Sequence, residues 1–410
     1  MRNKYFKSIF AIILFSTTVF SQTFDIKPSG TSYILYDITI PTGQNLVAYA
    51  TGSQYTTNNN GVVIKTVDGG ETWSTIYTLN KGLTKIKFVS PTRGFLVGYD
   101  NTLLKTIDGG ATWTNVTVQS DIYYYNQIDF FDANNGILSA ITNGDQLVSY
   151  KTVDSGETWT PVTSTTNLQT MEIGYASENI LYSVGYDQKI SKSINAGNNW
   201  TTIKNGIPQM VYFSTSFKDD LNGVVSGEDG EILKTIDGGA TWTQALSTSY
   251  ENFYALKYYN NDKIITAGTD SNIYYSSDAG STWTPLNTSS SSTSTLYDIE
   301  FFANGDALLC GSQGTILKSL SLLSTADVNL NNNFINQFYN SFDNTLSIET
   351  NAENSIKNVT FISVEGKQVY SENVSGNSVA FDLNFMSDGV YFANVEMNNG
   401  FKQIFKFVKN

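Results

Sequence analysis

The residues of this chain best placed for chemistry are carboxylates and tyrosines in turns. Asp100, Asp145, Asp187, Asp229 and Asp270 each lie between two apolar, strand-like segments, as in Gly98-Tyr99-Asp100-Asn101 and Glu228-Asp229-Gly230. If the turns share a rim, five carboxylates there would attract a cationic peptide or Ca²⁺. The plainer reading is that Asp suits a tight turn. Tyr123, Tyr124, Tyr125 and Tyr250 stand beside Ser, Thr and Asn. An apolar ring with a polar tip suits contact with a protein or a glycan.

Other chemistry is excluded by composition. There is no histidine, arginine occurs only as Arg2 and Arg93, and Cys310 is the single cysteine. Serine–histidine catalysis, thiolate metal clusters and intramolecular disulfides therefore lack their parts. Neither a cofactor nor a structural metal is expected. Cys310 closes the apolar run Ala307-Leu308-Leu309-Cys310 and reads as a small buried hydrophobe. The net charge of −13 disfavours nucleic acid, which needs clustered cations.

Residues 1–21 read as a secretory signal. Arg2, Lys4 and Lys7 precede the apolar run Ile9 to Phe15, and Val19 and Ser21 suit a cleavage site. Removing those three cations would take the net charge from −13 to −16. No later segment is long and apolar enough to span a membrane as a helix.

The elements that position the turns come from a repeat. All six tryptophans, Trp73, Trp113, Trp159, Trp200, Trp242 and Trp283, end copies of one phrase, first seen as Thr66-Val67-Asp68-Gly69-Gly70-Glu71-Thr72-Trp73. The intervals are 40, 46, 41, 42 and 41 residues. Residues 296–319 show the strands of one unit: Leu296 to Phe302, Ala307 to Gly311 and Thr315 to Lys318, with turns at Asn304-Gly305 and Gln313-Gly314. A fourth short strand follows each tryptophan. Four short strands per repeat of about 40 residues indicate a β-propeller blade.

The phrase resembles the Asp-box, Ser/Thr-x-Asp-x-Gly-x-Thr-Trp, of sialidases, sortilin-type receptors, some glucanases and photosystem II assembly-factor propellers. The match is full at Asp68, Asp108, Asp154, Asp237 and Asp278. It is weaker in the fourth copy, where Asn195 and Asn199 replace Asp and Thr. The resemblance implies a structural hairpin on the outer rim, away from the ligand face. A sialidase activity is not expected, because that family grips its substrate carboxylate with three arginines.

Six boxes give six blades, and residues 296–319 supply three strands of a seventh. The missing strand is expected from residues 22–28, which would close the ring. After a linker at 323–333 come alternating segments without tryptophan, which read as a small Ig-like sandwich of about seven strands over 334–410. The expected architecture is all-β: a seven-bladed propeller over 22–322, then this sandwich. The sandwich resembles the C-terminal sorting domain of the type IX secretion system of Bacteroidetes. Its matching pieces are Val364-Glu365-Gly366-Lys367-Gln368-Val369, Phe381-Asp382-Leu383, Met386-Ser387-Asp388-Gly389-Val390-Tyr391-Phe392, and the basic end at Lys402, Lys406 and Lys409. The usual opening prolines are missing at Tyr339-Asn340-Ser341-Phe342.

The resulting expectation is a secreted or cell-surface, non-enzymatic propeller that engages the type IX machinery through its C-terminal domain. It would bind an extracellular protein or glycan on the loops opposite the Asp-boxes. The alternative is an extracellular glycoside hydrolase or other glycan-active protein using acids on the propeller face; hydrolysis needs two carboxylates across a cleft.

Overall fold

The computed structural model describes residues 23–42, 44, 46–54, 60–162, 170–288, 293–319, 335–340, 344–350, 355–363, 366–398 and 402–409. The expected signal and the 323–333 linker lie outside these residues. The chain divides into two units, Met1–Ser324 and Thr325–Asn410.

The first unit is seven four-stranded sheets. Blade 1 pairs Ile34–Thr39, Ala48–Ser53, Gly61–Thr66 and Ser74–Leu79 in chain order. The inner strands of blades 2 to 7 are Leu83–Phe88, Ile122–Phe130, Thr170–Tyr175, Tyr212–Phe217, Phe253–Tyr258 and Leu296–Phe301. Second strands such as Gly94–Gly98, Leu181–Gly185 and Gly223–Gly227 are buried along their whole length. Neighbouring blades cover both faces, so these strands are buried without alternation.

The ring closes through the first described strand, Thr23–Lys27. It pairs antiparallel with Ile316–Ser319 in the register Asp25↔Lys318, Ile26↔Leu317 and Lys27↔Ile316, completing blade 7. The strand also pairs in parallel with Thr284–Thr288 of blade 6 through Thr23↔Asn287 and Phe24↔Thr288, a second seam that the sequence did not indicate. Phe24 is wholly buried there, in one cluster with Leu309 and Leu317.

Each tryptophan joins a core shared with the preceding blade. Trp73 clusters with Leu308 and Cys310 of blade 7, and Trp200 with Ile137 of blade 3. Trp159 meets Phe95 of blade 2 edge-on at 6.4 Å. The box fixes the hairpin that carries the ring. Asp237 Oδ1 accepts from Thr235 Oγ1 at 2.9 Å and from the Thr241 amide at 2.9 Å, and Oδ2 accepts from Thr241 Oγ1 at 2.6 Å. In the fourth copy Asn195 keeps the bonds from Ser193 and the Asn199 amide. Gly156 needs to be glycine: its φ is +74°, and a Cβ would lie 2.4 Å from the Phe95 ring of the preceding blade.

Lysines on the third strands of blades 2, 4 and 5 reach the box of the next blade. Lys105 reaches Glu157 at 2.6 Å, Lys192 the Gly238 carbonyl at 2.8 Å, and Lys234 Ser281 at 2.8 Å. At the closure Glu71 receives both Lys318 at 2.7 Å and Lys27 at 2.8 Å.

The second unit is a seven-stranded sandwich. Ile335–Asn340, Thr345–Thr350 and Ser378–Asp382 form one sheet, and Gln368–Gly376, Ile356–Ser363, Gly389–Met397 and Lys402–Lys409 form the other. Their inward side chains, including Ile348, Phe361, Phe381, Val395 and Phe407, make the core. Lys409 is buried and paired with Asp388 at 2.9 Å.

Candidate functional site

The site is built by a repeated irregularity. In every inner strand the register with the second strand slips by one residue at the same place. The slips are Leu35/Asp37, Leu83/Lys85, Tyr125/Gln127, Thr170/Glu172, Tyr212/Ser214, Phe253/Ala255 and Leu296/Asp298. A β-bulge re-aims the extra residue. The seven extra residues are Tyr36, Thr84, Asn126, Met171, Phe213, Tyr254 and Tyr297, and all of them line one cavity of about 510 Å³. Tyr99, Tyr124 and Tyr186 complete its wall. The cavity lies where the inner strands begin. Strand alternation puts the second-to-third-strand turns on this face and the Asp-boxes on the opposite one. Its size falls in the ordinary range for ligand sites.

Below this cup the inner strands send two layers of side chains into the central channel. The first residue after each bulge gives Asp37, Lys85, Gln127, Glu172, Ser214, Ala255 and Asp298. Two positions on come Thr39, Lys87, Asp129, Gly174, Ser216, Lys257 and Glu300. All but Ala255 line a cavity of about 350 Å³. The deeper layer is balanced: Lys87 pairs with Asp129 and Lys257 with Glu300, each at 2.6 Å. The upper layer sets three carboxylates against one ammonium, Lys85, which bonds Asp37 at 2.7 Å. Burial pulls the Lys85 ammonium down, but Asp37, Asp298 and Glu172 outweigh it and hold it well above its ordinary value. Burial pushes the Asp37 carboxyl up against the pull of Lys85, and Asp298 adds to the rise.

These acids also hold the ring together. Asp37 accepts from the Ile86 amide of blade 2 at 2.7 Å, Glu172 from Thr215 of blade 5 at 2.8 Å, and Asp298 from Ile38 of blade 1 at 2.9 Å. Each bond crosses a blade boundary and satisfies a buried amide. They are the channel acids nearest the cup, and each commits an oxygen to the neighbouring blade.

Of the residues expected at a binding face, Tyr124 and Asp145 line the cup. Tyr123 stands beside it, with its ring 5.6 Å from Tyr124 and 6.0 Å from Tyr99. Tyr125 is a correction. It is wholly buried, clusters with Phe95 and Ile128, and its hydroxyl donates to Asn101 Oδ1 at 3.0 Å. Strand alternation turns it into the core between blades 2 and 3.

Asp100, Asp187, Asp229 and Asp270 are not among the residues lining the cup. With Asp145, all five have φ between 52° and 58°, and Gln313 holds the equivalent place in blade 7 at 57°. The turn requires a residue that tolerates the left-handed region, and Asp meets that need. Asp187 is further occupied by Lys189 at 3.2 Å and the Gln209 amide at 3.1 Å. Among the described residues no three Asp, Glu or Cys side chains group to hold a metal ion. Tyr250 projects from its loop, 95% exposed, and takes no part in the cup wall.

Sequence reading missed Tyr36, Tyr99, Tyr186, Phe213, Tyr254 and Tyr297. The signal was present. The bulge residue precedes a repeated pattern, as in Tyr36-Asp37-Ile38, Tyr254-Ala255-Leu256 and Tyr297-Asp298-Ile299. Tyr99 and Tyr186 immediately precede the turn aspartates Asp100 and Asp187.

Residues 76–202 and 243–320, together half of the chain, match the family described as photosynthesis system II assembly factor YCF48. Residues 339–410 match the secretion system C-terminal sorting domain. No curated protein sequence matches the chain. Among solved structures, YCF48 from Cyanidioschyzon merolae is similar at 16% identity and a TM-score of 0.58, covering 72% of this chain and 98% of its own. A YCF48 bound to D1 peptide is similar at 20% identity and a TM-score of 0.59, covering 74% and 99%. The WD40 propeller domain of Doa1 is similar at 13% identity and a TM-score of 0.57, covering 73% and 97%.

Proposed function

The chain belongs to the photosynthesis system II assembly factor YCF48 family and carries a secretion sorting domain, and from that premise we propose that it is an exported propeller that binds a segment of another protein. The C-terminal domain directs the chain through the outer membrane to the cell surface or beyond. The binding site in this reading is the cup opposite the Asp-boxes. The observation that carries it is the common bulge: seven blades each aim one residue into a single cavity, and four of those residues are aromatic. Half-buried Tyr and Phe rings around a concavity are the usual anchors of a protein interface. A similar propeller, a YCF48, has been solved bound to D1 peptide, which supports a peptide as the kind of ligand this ring takes.

Photo-crosslinking on the cell surface tests the reading. A benzophenone side chain replacing Tyr186, at the cup wall and 52% exposed, is expected to capture a protein partner. The same group replacing Ile107, on the Asp-box face and 65% exposed, is expected to capture none. Capture from Ile107 alone would overturn the reading.

A further inference from the structure

We infer that the cup takes a cationic side chain, a lysine or arginine, presented by the bound segment. The inference rests on the cup being the binding site and adds the chemistry of its ligand. The first observation is the ring wall. Phe213, Tyr254, Tyr297 and Tyr36 follow one another around blades 5, 6, 7 and 1 with centroids 4.4, 5.4 and 5.5 Å apart. Tyr99 and Tyr124, stacked at 5.1 Å, line the wall from blades 2 and 3. Aromatic faces carry negative potential and attract ammonium and guanidinium groups.

The second observation is the floor. Lys85 is the one cationic residue among those lining the cup, and its ammonium is bonded to Asp37. Glu172 and Asp298 stand in the same layer and act on the same lysine, while the layer beneath is neutralised pair by pair. The layer beneath the cup therefore sets three carboxyl groups against one ammonium, and these acids line the channel cavity while Lys85 alone of the layer lines the cup. Asp145 adds a carboxylate to the wall, and the whole chain carries −13. An entering carboxylate would meet ring faces and acids. An entering lysine or arginine lays its stem along the tyrosine rings, with its head within reach of their faces and of Asp145.

The test uses the full chain and a random peptide library. Peptides that bind are synthesised and titrated by calorimetry. The expected result is a shared Lys or Arg whose replacement by norleucine or citrulline weakens binding about tenfold or more, with a further loss at high salt. Tyr254→Ala and Tyr297→Leu should weaken the same peptides by a similar factor while the melting temperature is retained. Equal binding of the norleucine or citrulline peptides, with Tyr254→Ala still abolishing binding, would overturn the cationic inference and leave the cup as the site. Unchanged affinity in both tyrosine variants would overturn the site as well. The peptide substitutions leave the protein untouched, so misfolding of a variant cannot mask the outcome.

Discussion

At the scale of single residues, the Asp-box does structural work that can be titrated. The Asp108, Asp154 and Asp237 carboxyls sit at about 2, below their ordinary 3.8, because the box threonine bonds them through its hydroxyl and amide. A carboxyl lowered in the folded state stabilises fully above its unfolded value. That stabilisation is lost as pH falls from about 4 toward 2. Asp237→Asn should therefore be less stable than the parent near neutral pH, and the gap should shrink in urea melts at successively lower pH. A gap that does not change with pH would contradict this. Trp200, 3% exposed, fills the seam between blades 3 and 4, and Trp200→Ala should cost about 3–5 kcal/mol in the same melts. The box was legible in the sequence because its residue types are dictated by local hydrogen bonds. The cup was less so. The turn aspartates stood out by type, yet their type answers a backbone need at positive φ, and the cup lies one residue earlier, at Tyr99 and Tyr186. Tyr125 looked like its two neighbours because alternation of facing is a property of the strand and its bulges.

At the scale of elements, two features hold the ring. One is the closing strand, Thr23–Lys27, which joins blade 7 by an antiparallel ladder and blade 6 by a parallel one. Deleting residues 22–28 removes Phe24 from a closed core and leaves Glu71 without Lys27. The expected outcome is a markedly lower and less cooperative thermal transition, read by circular dichroism, and an unchanged melting temperature would contradict it. The antiparallel partner was legible because blade 7 is one strand short in the sequence. The parallel seam was not, because nothing in the local pattern of residues 284–288 marks a second edge. The other feature is the bulge common to the inner strands. A bulge shifts facing by one residue, and in Tyr36, Phe213, Tyr254 and Tyr297 it turns an ordinary strand aromatic toward the cavity. Single-chain periodicity does not reveal it, because the bulge is a relation between two strands. The same holds for Asp37, Glu172 and Asp298, whose acceptors' role exists only between blades.

At the scale of the whole molecule, one unit addresses the chain and the other is the propeller for which we propose binding. The sorting module was recognisable from its terminal motifs, and its fold follows from alternation over seven short strands. Removing residues 339–410 should hold the protein in the periplasm, as read by cell fractionation. Normal surface delivery of that truncation would contradict the assignment. The propeller's fold and blade count were readable from tryptophan spacing. The face proposed for binding was readable only as a choice between two sides of a ring. The structure adds the cup, its aromatic wall and the acid-rich channel layer beneath it. The most direct test of the central claim, that the cup holds a protein segment, is a crystal structure of the full chain with a partner captured at the cell surface. The account predicts a partner segment across the mouth of the channel, with a side chain against the Tyr254 and Tyr297 rings. A partner seated on the Asp-box face, with those rings untouched, would contradict it.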